Sequence, residues 1–250
     1  MKVFVVDLNN RRDSAALTSA FLVIIIVFAS IIGVATQVFG ESMIAAMVGT
    51  SPTDKIIIID AGHGGEDSGA VGVTGVWEKD LNLQMALQIG ADFEEKGYVV
   101  VYTRTDDRLL YTEAENIYGI RKISDLKNRV KVAEKYPEAI LVSVHMNSFG
   151  SSKYSGLQVY YSNNNDESRM LADSIQNRVA TDIQKDNKRD IKSGKDMYIL
   201  ENVSNTAVLI ECGFLTNEAE CKKLSEKEYQ KQLSFSIVCG IIEYIEKNQK

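Results

Sequence analysis

The chain has 250 residues, 45% of them hydrophobic, which is enough for one sizeable core with a short extension, while two full domains would be cramped. A net charge of −6 and an isoelectric point near 5.1 argue against a nucleic-acid partner, because phosphate binding needs a concentrated cationic surface. Any anionic polymer must therefore be gripped by specific contacts.

The first fifty residues read as an address. No charge occurs from Ser14 to Gly40, and Ala20 to Phe39 is apolar almost throughout. That run of about twenty residues can cross a hydrocarbon core as a helix, and it exceeds the apolar region of a cleaved signal. Arg11 and Arg12 precede it and Glu41 follows, which places the N-terminus in the cytoplasm and the bulk of the chain outside. The expected organisation is a cytoplasmic segment (1–13), a transmembrane anchor or uncleaved signal (14–40), a linker (41–54) and one globular domain (55–250).

Within that domain, β-branched runs alternate with amphipathic ones. Strands are predicted at 56–59, 98–102, 139–144, 157–161 and 207–210. Helices are predicted at 80–96, 125–135, 166–185 and 226–246. The first helix repeats Leu81, Met85, Ile89 and Phe93 on one face and stops at Gly97. Alternation of this kind predicts an α/β domain with a mainly parallel twisted sheet and helices on both faces. The polar segment 108–124 lacks a period and reads as an extra surface excursion. The mixed-charge run 185–195 reads as a solvated loop. Cys212, Cys221 and Cys239 lack metal-ligand spacing and read as small buried hydrophobes, with a Cys221 to Cys239 disulfide as the minor alternative.

Active sites in such folds gather at the carboxyl ends of strands. Both histidines of the chain fall there: His63 in Asp60-Ala61-Gly62-His63-Gly64-Gly65, and His145 in Ser143-Val144-His145-Met146-Asn147-Ser148. Glu78 opens the first helix, and Glu211 follows the apolar run 207–210. Two imidazoles and a carboxylate make a three-ligand zinc site with an open position, and a second carboxylate can then act as general base. Read singly, each residue has a plainer role, such as a hydrogen-bonded structural histidine or a glutamate favoured by the helix dipole. Asp60 reads equally as a strand-end cap or as a group that orients a ligand.

The runs IIIIDAGHGGEDSGAVGVTGVWEKDLNL, LKNRVKVAE, AILVSVHMNS, SGLQVYY and AVLIECGFLTNEAE resemble the zinc-dependent N-acetylmuramoyl-L-alanine amidases of type 3, over about residues 55–245. Size and anchor are most similar to the germination-specific spore cortex amidases. The resemblance implies one zinc ion held by His63, Glu78 and His145, with Glu211 as the catalytic glutamate. It implies hydrolysis of the amide between the lactyl group of N-acetylmuramic acid and L-alanine, with Asn147, Arg104 and Arg129 as supporting residues. It further implies peptidoglycan as substrate, a place outside the cytoplasmic membrane in the cortex space of a developing spore, and a regulatory spore-envelope partner. Two rival readings stand beside it: a zinc exopeptidase, and a catalytically silent membrane-tethered scaffold that binds peptidoglycan.

Overall fold

The computed structural model describes residues 55–248. The predicted anchor, its cytoplasmic flank and the whole of the linker lie outside them, and no helix among the described residues is long and apolar enough to cross a membrane.

Six strands form one sheet in the order β2-β1-β3-β6-β4-β5. They are β1 (Ile56–Ala61), β2 (Val99–Tyr102), β3 (Ile140–Asn147), β4 (Gln158–Tyr161), β5 (Lys192–Ser193) and β6 (Thr206–Phe214). The helices are α1 (Glu78–Glu95), α2 (Arg121–Glu134), α3 (Glu167–Asp182), α4 (Tyr198–Asn202), α5 (Glu218–Leu224) and α6 (Lys227–Asn248).

Strand alternation sorts the sheet into two faces. Ile57, Ile59, Val142, Val144, Val208 and Ile210 point into the larger core, against α1, α3 and α6. Ile58, Leu141, Ala207 and Leu209 point the other way, against α2 and α4. The predicted stripe of α1 lies wholly in the larger core, since Leu81, Met85, Ile89 and Phe93 are all buried. At its end Gly97 adopts φ +83°, the left-handed conformation that a side chain resists. Leu126 of α2 is only half-buried.

The sheet is mainly parallel, as expected, with one antiparallel pair. β1, β2, β3 and β6 run parallel, whereas β4 pairs antiparallel with β6. The reason lies in the connection: β3 and β4 are joined by a short helix-free stretch, so the chain turns back at the end of the sheet where β3 stops. A parallel return needs a longer crossover. The segment 108–124 is also not a free excursion. It contains a 3-10 turn at Glu113–Glu115, and α2 begins inside it at Arg121. Cys212 and Cys221 are buried and free, and Cys239 is free and partly exposed.

Chain order makes β1 a branch point: the path leaves it for β2 on one side and returns to pair β3 on its other side. Such a switch opens a crevice at the carboxyl ends of the two central strands. His63 follows β1 and His145 lies near the end of β3, so the topology aims both histidines at that crevice.

Candidate active site

The two histidines converge on one carboxylate. His63 Nε2 lies 3.1 Å and His145 Nδ1 3.0 Å from Glu78 Oε1, with the imidazole rings edge to face at 5.0 Å. One donor atom from each of the three residues fits within a 4.8 Å cluster. Glu78 is held from behind: its Oε2 accepts the Ala70 N–H, and its Oε1 also accepts from Asn82 Nδ2 and the Met146 N–H. Its place in the first turn of α1 favours the negative charge.

Glycine is required where these groups approach the backbone. A Cβ at Gly62 would stand 2.2 Å from His145 Nε2, and one at Gly69 would stand 2.5 Å from Glu78 Oε2. His63 itself sits at φ 59°, a region that non-glycine residues rarely occupy. Two contacts hold it there: Arg129 Nη2 donates to its carbonyl, and its ring Nδ1 bonds Asp67 Oδ2 at 2.9 Å.

The charges follow this geometry. Burial alone would lower the His63 imidazole, yet its hydrogen bonds to Asp67 and Glu78 outweigh that and raise it to about 9. Burial would raise Glu78, but the hydrogen bonds and charges of His145 and His63 hold it far below the ordinary carboxylate range. The ring nitrogens that face Glu78 carry the lone pairs that a divalent cation would take. Two imidazoles and one carboxylate, with His63 oriented by a second carboxylate, suit zinc chemistry, so the residues present fit the metal that the sequence resemblance implies.

Glu211 pairs with His145 across the β3–β6 register. The register shifts just beyond this pair, between His145 and Asn147, an irregularity of the kind found beside active sites. Glu211 Oε2 is enclosed and has no hydrogen-bond partner among the described residues. Burial pushes its carboxyl up to about 7; the charges of His145 and His63 oppose this and that of Glu78 adds to it. A carboxylate with that value is suited to taking and returning a proton near neutral pH.

The supporting residues sort themselves by contact. Asp60 accepts from Thr103 and Ser143 hydroxyls and from Arg129 Nη1, so it reaches His63 only through Arg129. Arg129 is a buried structural cation, paired with Asp60 and Asp125. Arg104 donates to the carbonyls of Ala61, Gly62 and Lys79 and so fixes the glycine loop. The Asn147 carbonyl accepts the Leu215 N–H and ties the ends of β3 and β6 together.

Sequence reasoning missed Asp67, whose spacing from His63 could have flagged it. It also missed the latch between the glycine loop and the 108–124 region: Arg121 with Glu66, Lys122 with Asp67, and Asp107 with both Lys79 and the Gly65 N–H.

An open α/β sheet with this histidine–glutamate cluster and an enclosed carboxylate at its branch point defines a hydrolase of the metal-site type. Residues 57–243 match the family described as N-acetylmuramoyl-L-alanine amidase, and the chain belongs to that family. It is 36% identical over 190 residues to the germination-specific N-acetylmuramoyl-L-alanine amidase of Bacillus subtilis, covering 76% of this chain and 79% of that one. Among solved structures, the CwlD amidase of Clostridioides difficile, determined in complex with the GerS lipoprotein, is 38% identical with a TM-score of 0.74; the match covers 78% of this chain and all of that one. The catalytic domain of CwlV from Bacillus (Paenibacillus) polymyxa is 34% identical with a TM-score of 0.66, over 77% of this chain and 98% of that one. The chain is thus an amidase of the cell wall, similar to the germination-specific members.

Proposed function

We propose that the chain hydrolyses the lactyl–L-alanine amide of spore cortex peptidoglycan with one zinc ion held by His63, Glu78 and His145, and with Glu211 as the catalytic carboxylate. The observation that carries this reading is the convergence of His63 Nε2 and His145 Nδ1 on Glu78 Oε1, directly beside the unpartnered Glu211. Zinc, when bound, supplies Lewis acidity that polarises an amide carbonyl and makes water more acidic. Glu211 removes a proton from the attacking water. It then delivers that proton to the departing alanine nitrogen, leaving a muramyl carboxylate and a peptide with a free amine. Asp67 fixes the ring of His63 with Nε2 facing the cluster, while Arg129 and Arg104 hold the loop that carries it.

The cortex as substrate is supported by the likeness to germination-specific amidases. We extend the reading to a tethered enzyme: the apolar run 20–39 anchors the chain, the linker 41–54 spaces it, and the catalytic domain works on the outer side. A lipoprotein partner is part of the same proposal, because the related amidase from Clostridioides difficile was solved with one. Ile117, Tyr118, Ile120 and Ile123 expose apolar side chains in the region that latches the glycine loop, which is where such a partner would act on the site.

The test measures zinc content together with release of alanine amino groups from purified cortex. Wild type should bind one zinc and release alanine. Glu211→Gln should keep the metal and lose at least a thousandfold in rate, whereas His145→Ala should lose both. Full activity in Glu211→Gln would sink the assigned role of that residue.

A further inference from the structure

The chain is acidic overall, yet one cleft at the active-site end of the sheet is cationic. It has a volume of about 610 Å³ and is lined by Arg189, Lys153, Lys185, Lys188 and Lys223 against only two carboxylates, Asp186 and Glu220. Glu220 is already committed, its two oxygens accepting the Gly156 and Phe214 N–H groups. The run 185–195, expected to be a solvated loop, thus contributes a wall of this cleft.

Arg189 is the fixed element of that wall. Its guanidinium lies 4.4 Å from the centroid of the Phe214 ring and 5.6 Å from that of Tyr154. Its Nε donates to the Ser155 carbonyl, and its Nη1 donates to Gln158 Oε1. A guanidinium has five N–H donors, so most of its capacity for a planar acceptor is unspent. The ion pairs made by arginine among the described residues belong to Arg108, Arg121, Arg129 and Arg178, and none to Arg189. A guanidinium stacked and held in place, in the field of Glu220 but with no carboxylate in ion-pair contact among the described residues, is prepared for one that arrives from outside.

Its position relates it to the chemistry. Gln158, which Arg189 holds, is the cross-strand partner of Glu211. Neighbouring strands lie about 4.8 Å apart. Tyr160, two residues along the same strand, feels both charges: burial raises its phenol, Glu211 raises it further and Arg189 opposes. One side chain, that of Gln158, thus links Arg189 at the cleft wall to the strand position paired with the catalytic carboxylate. An extended peptide advances about 3.3 Å per residue, so a carboxylate one to three residues beyond the scissile bond falls within reach.

We propose that Arg189 and the surrounding lysine cleft form a subsite for the carboxylates of the stem peptide on the leaving-group side of the scissile amide, making Arg189 a specificity-determining residue. The proposal rests on the amidase reading for the identity of its ligand. It also meets the demand set by the net charge of −6, that an anionic polymer be gripped at particular points.

The test uses the full-length, zinc-loaded chain carrying Glu211→Gln, so that substrate is not consumed. Calorimetry compares a muramoyl tripeptide with free carboxylates against the same compound with its carboxylates amidated. Amidation should weaken binding about tenfold when Arg189 is present. Adding Arg189→Ala should abolish that difference, and Arg189→Lys should restore part of it. Lys188→Glu, at an exposed position, should weaken binding of the free-carboxylate compound a few-fold, an effect that added salt diminishes. If Arg189 merely supported the fold, its loss would weaken both compounds alike, so the ratio of the two affinities decides. Equal affinity for both compounds, or a ratio unchanged in Arg189→Ala, overturns the proposal. Alanine release from cortex by the wild-type chain is followed separately; its absence would sink the amidase reading, while the binding ratio would still decide the subsite.

Discussion

At the scale of single residues, the metal cluster depends on groups that are not among its three proposed ligands. Asp67 occupies the ring nitrogen of His63 that faces away from Glu78, and so decides which nitrogen is offered to the cluster. Removing such an orienting carboxylate typically costs 10–100-fold in metal affinity. We expect Asp67→Ala to weaken zinc binding by about that factor in a chelator competition, with a much smaller effect from Lys122→Ala, whose side chain touches Asp67 from the exposed side. Equal metal affinity in wild type and Asp67→Ala would remove Asp67 from the account. Gly62 is critical for a steric reason. Its Cβ would collide with the His145 ring, which is already fixed by Glu78. Gly62→Ala should therefore fold but bind zinc poorly, an outcome read by metal content alongside circular dichroism.

At the scale of elements, β1 and α2 are joined by a buried ion pair that braces the loop between β1 and α1. Asp60 and Arg129 are both almost fully enclosed, and Arg129 passes the restraint on to the His63 carbonyl. Burial by itself would raise the Asp60 carboxyl; the Arg129 charge and the Ser143 and Thr103 hydroxyls outweigh it and hold it below its ordinary value. An unfolded aspartate titrates near about 4. A depressed folded value means that this contribution is fully present above that pH and is lost as the pH falls through the folded value. Asp60→Asn should therefore be less stable than wild type near neutral pH, on the order of 3 kcal/mol. The gap in urea midpoint should narrow as both proteins are acidified below about 4, the ordinary aspartate value; a gap that stays constant as the pH falls below it would exclude the pair as its origin. The elements themselves were largely legible beforehand, because the α1 stripe and the five main strands carry strong hydrophobic periods. Local pattern was silent on direction and on short pieces. β5 spans only two residues and α4 only five, too short for a period to register. The reversal of β4 was readable only from the missing helix before it. His63, His145 and Glu211 could be located because strand ends are visible in sequence, and Glu78 because it opens the first helix. Asp67 stands four residues from His63, a spacing that was an available signal, whereas the contacts of Arg189 are made across loops, which no spacing rule encodes.

At the scale of the whole molecule, the proposed tether sets where the chemistry can occur. The apolar run 20–39 is long enough to span a bilayer, and the linker 41–54 has fourteen residues. Fully extended, a linker of that length reaches at most about 50 Å, so the tether we propose would confine the catalytic domain to wall material close to the membrane. We expect the full chain to sediment with membranes through high salt and alkaline carbonate, and to be released only by detergent. A chain beginning at residue 53 should stay in solution. Both should hydrolyse soluble muramoyl peptides at the same rate, because the 57–243 match to the amidase family excludes the anchor. They should differ on intact wall: the tethered form should cut only the layer beside the bilayer, while the untethered form should attack throughout. Release of the full chain by salt or carbonate would sink the anchor. A tethered form that digested the outer layers equally would instead retain the anchor and remove its role in choosing the substrate.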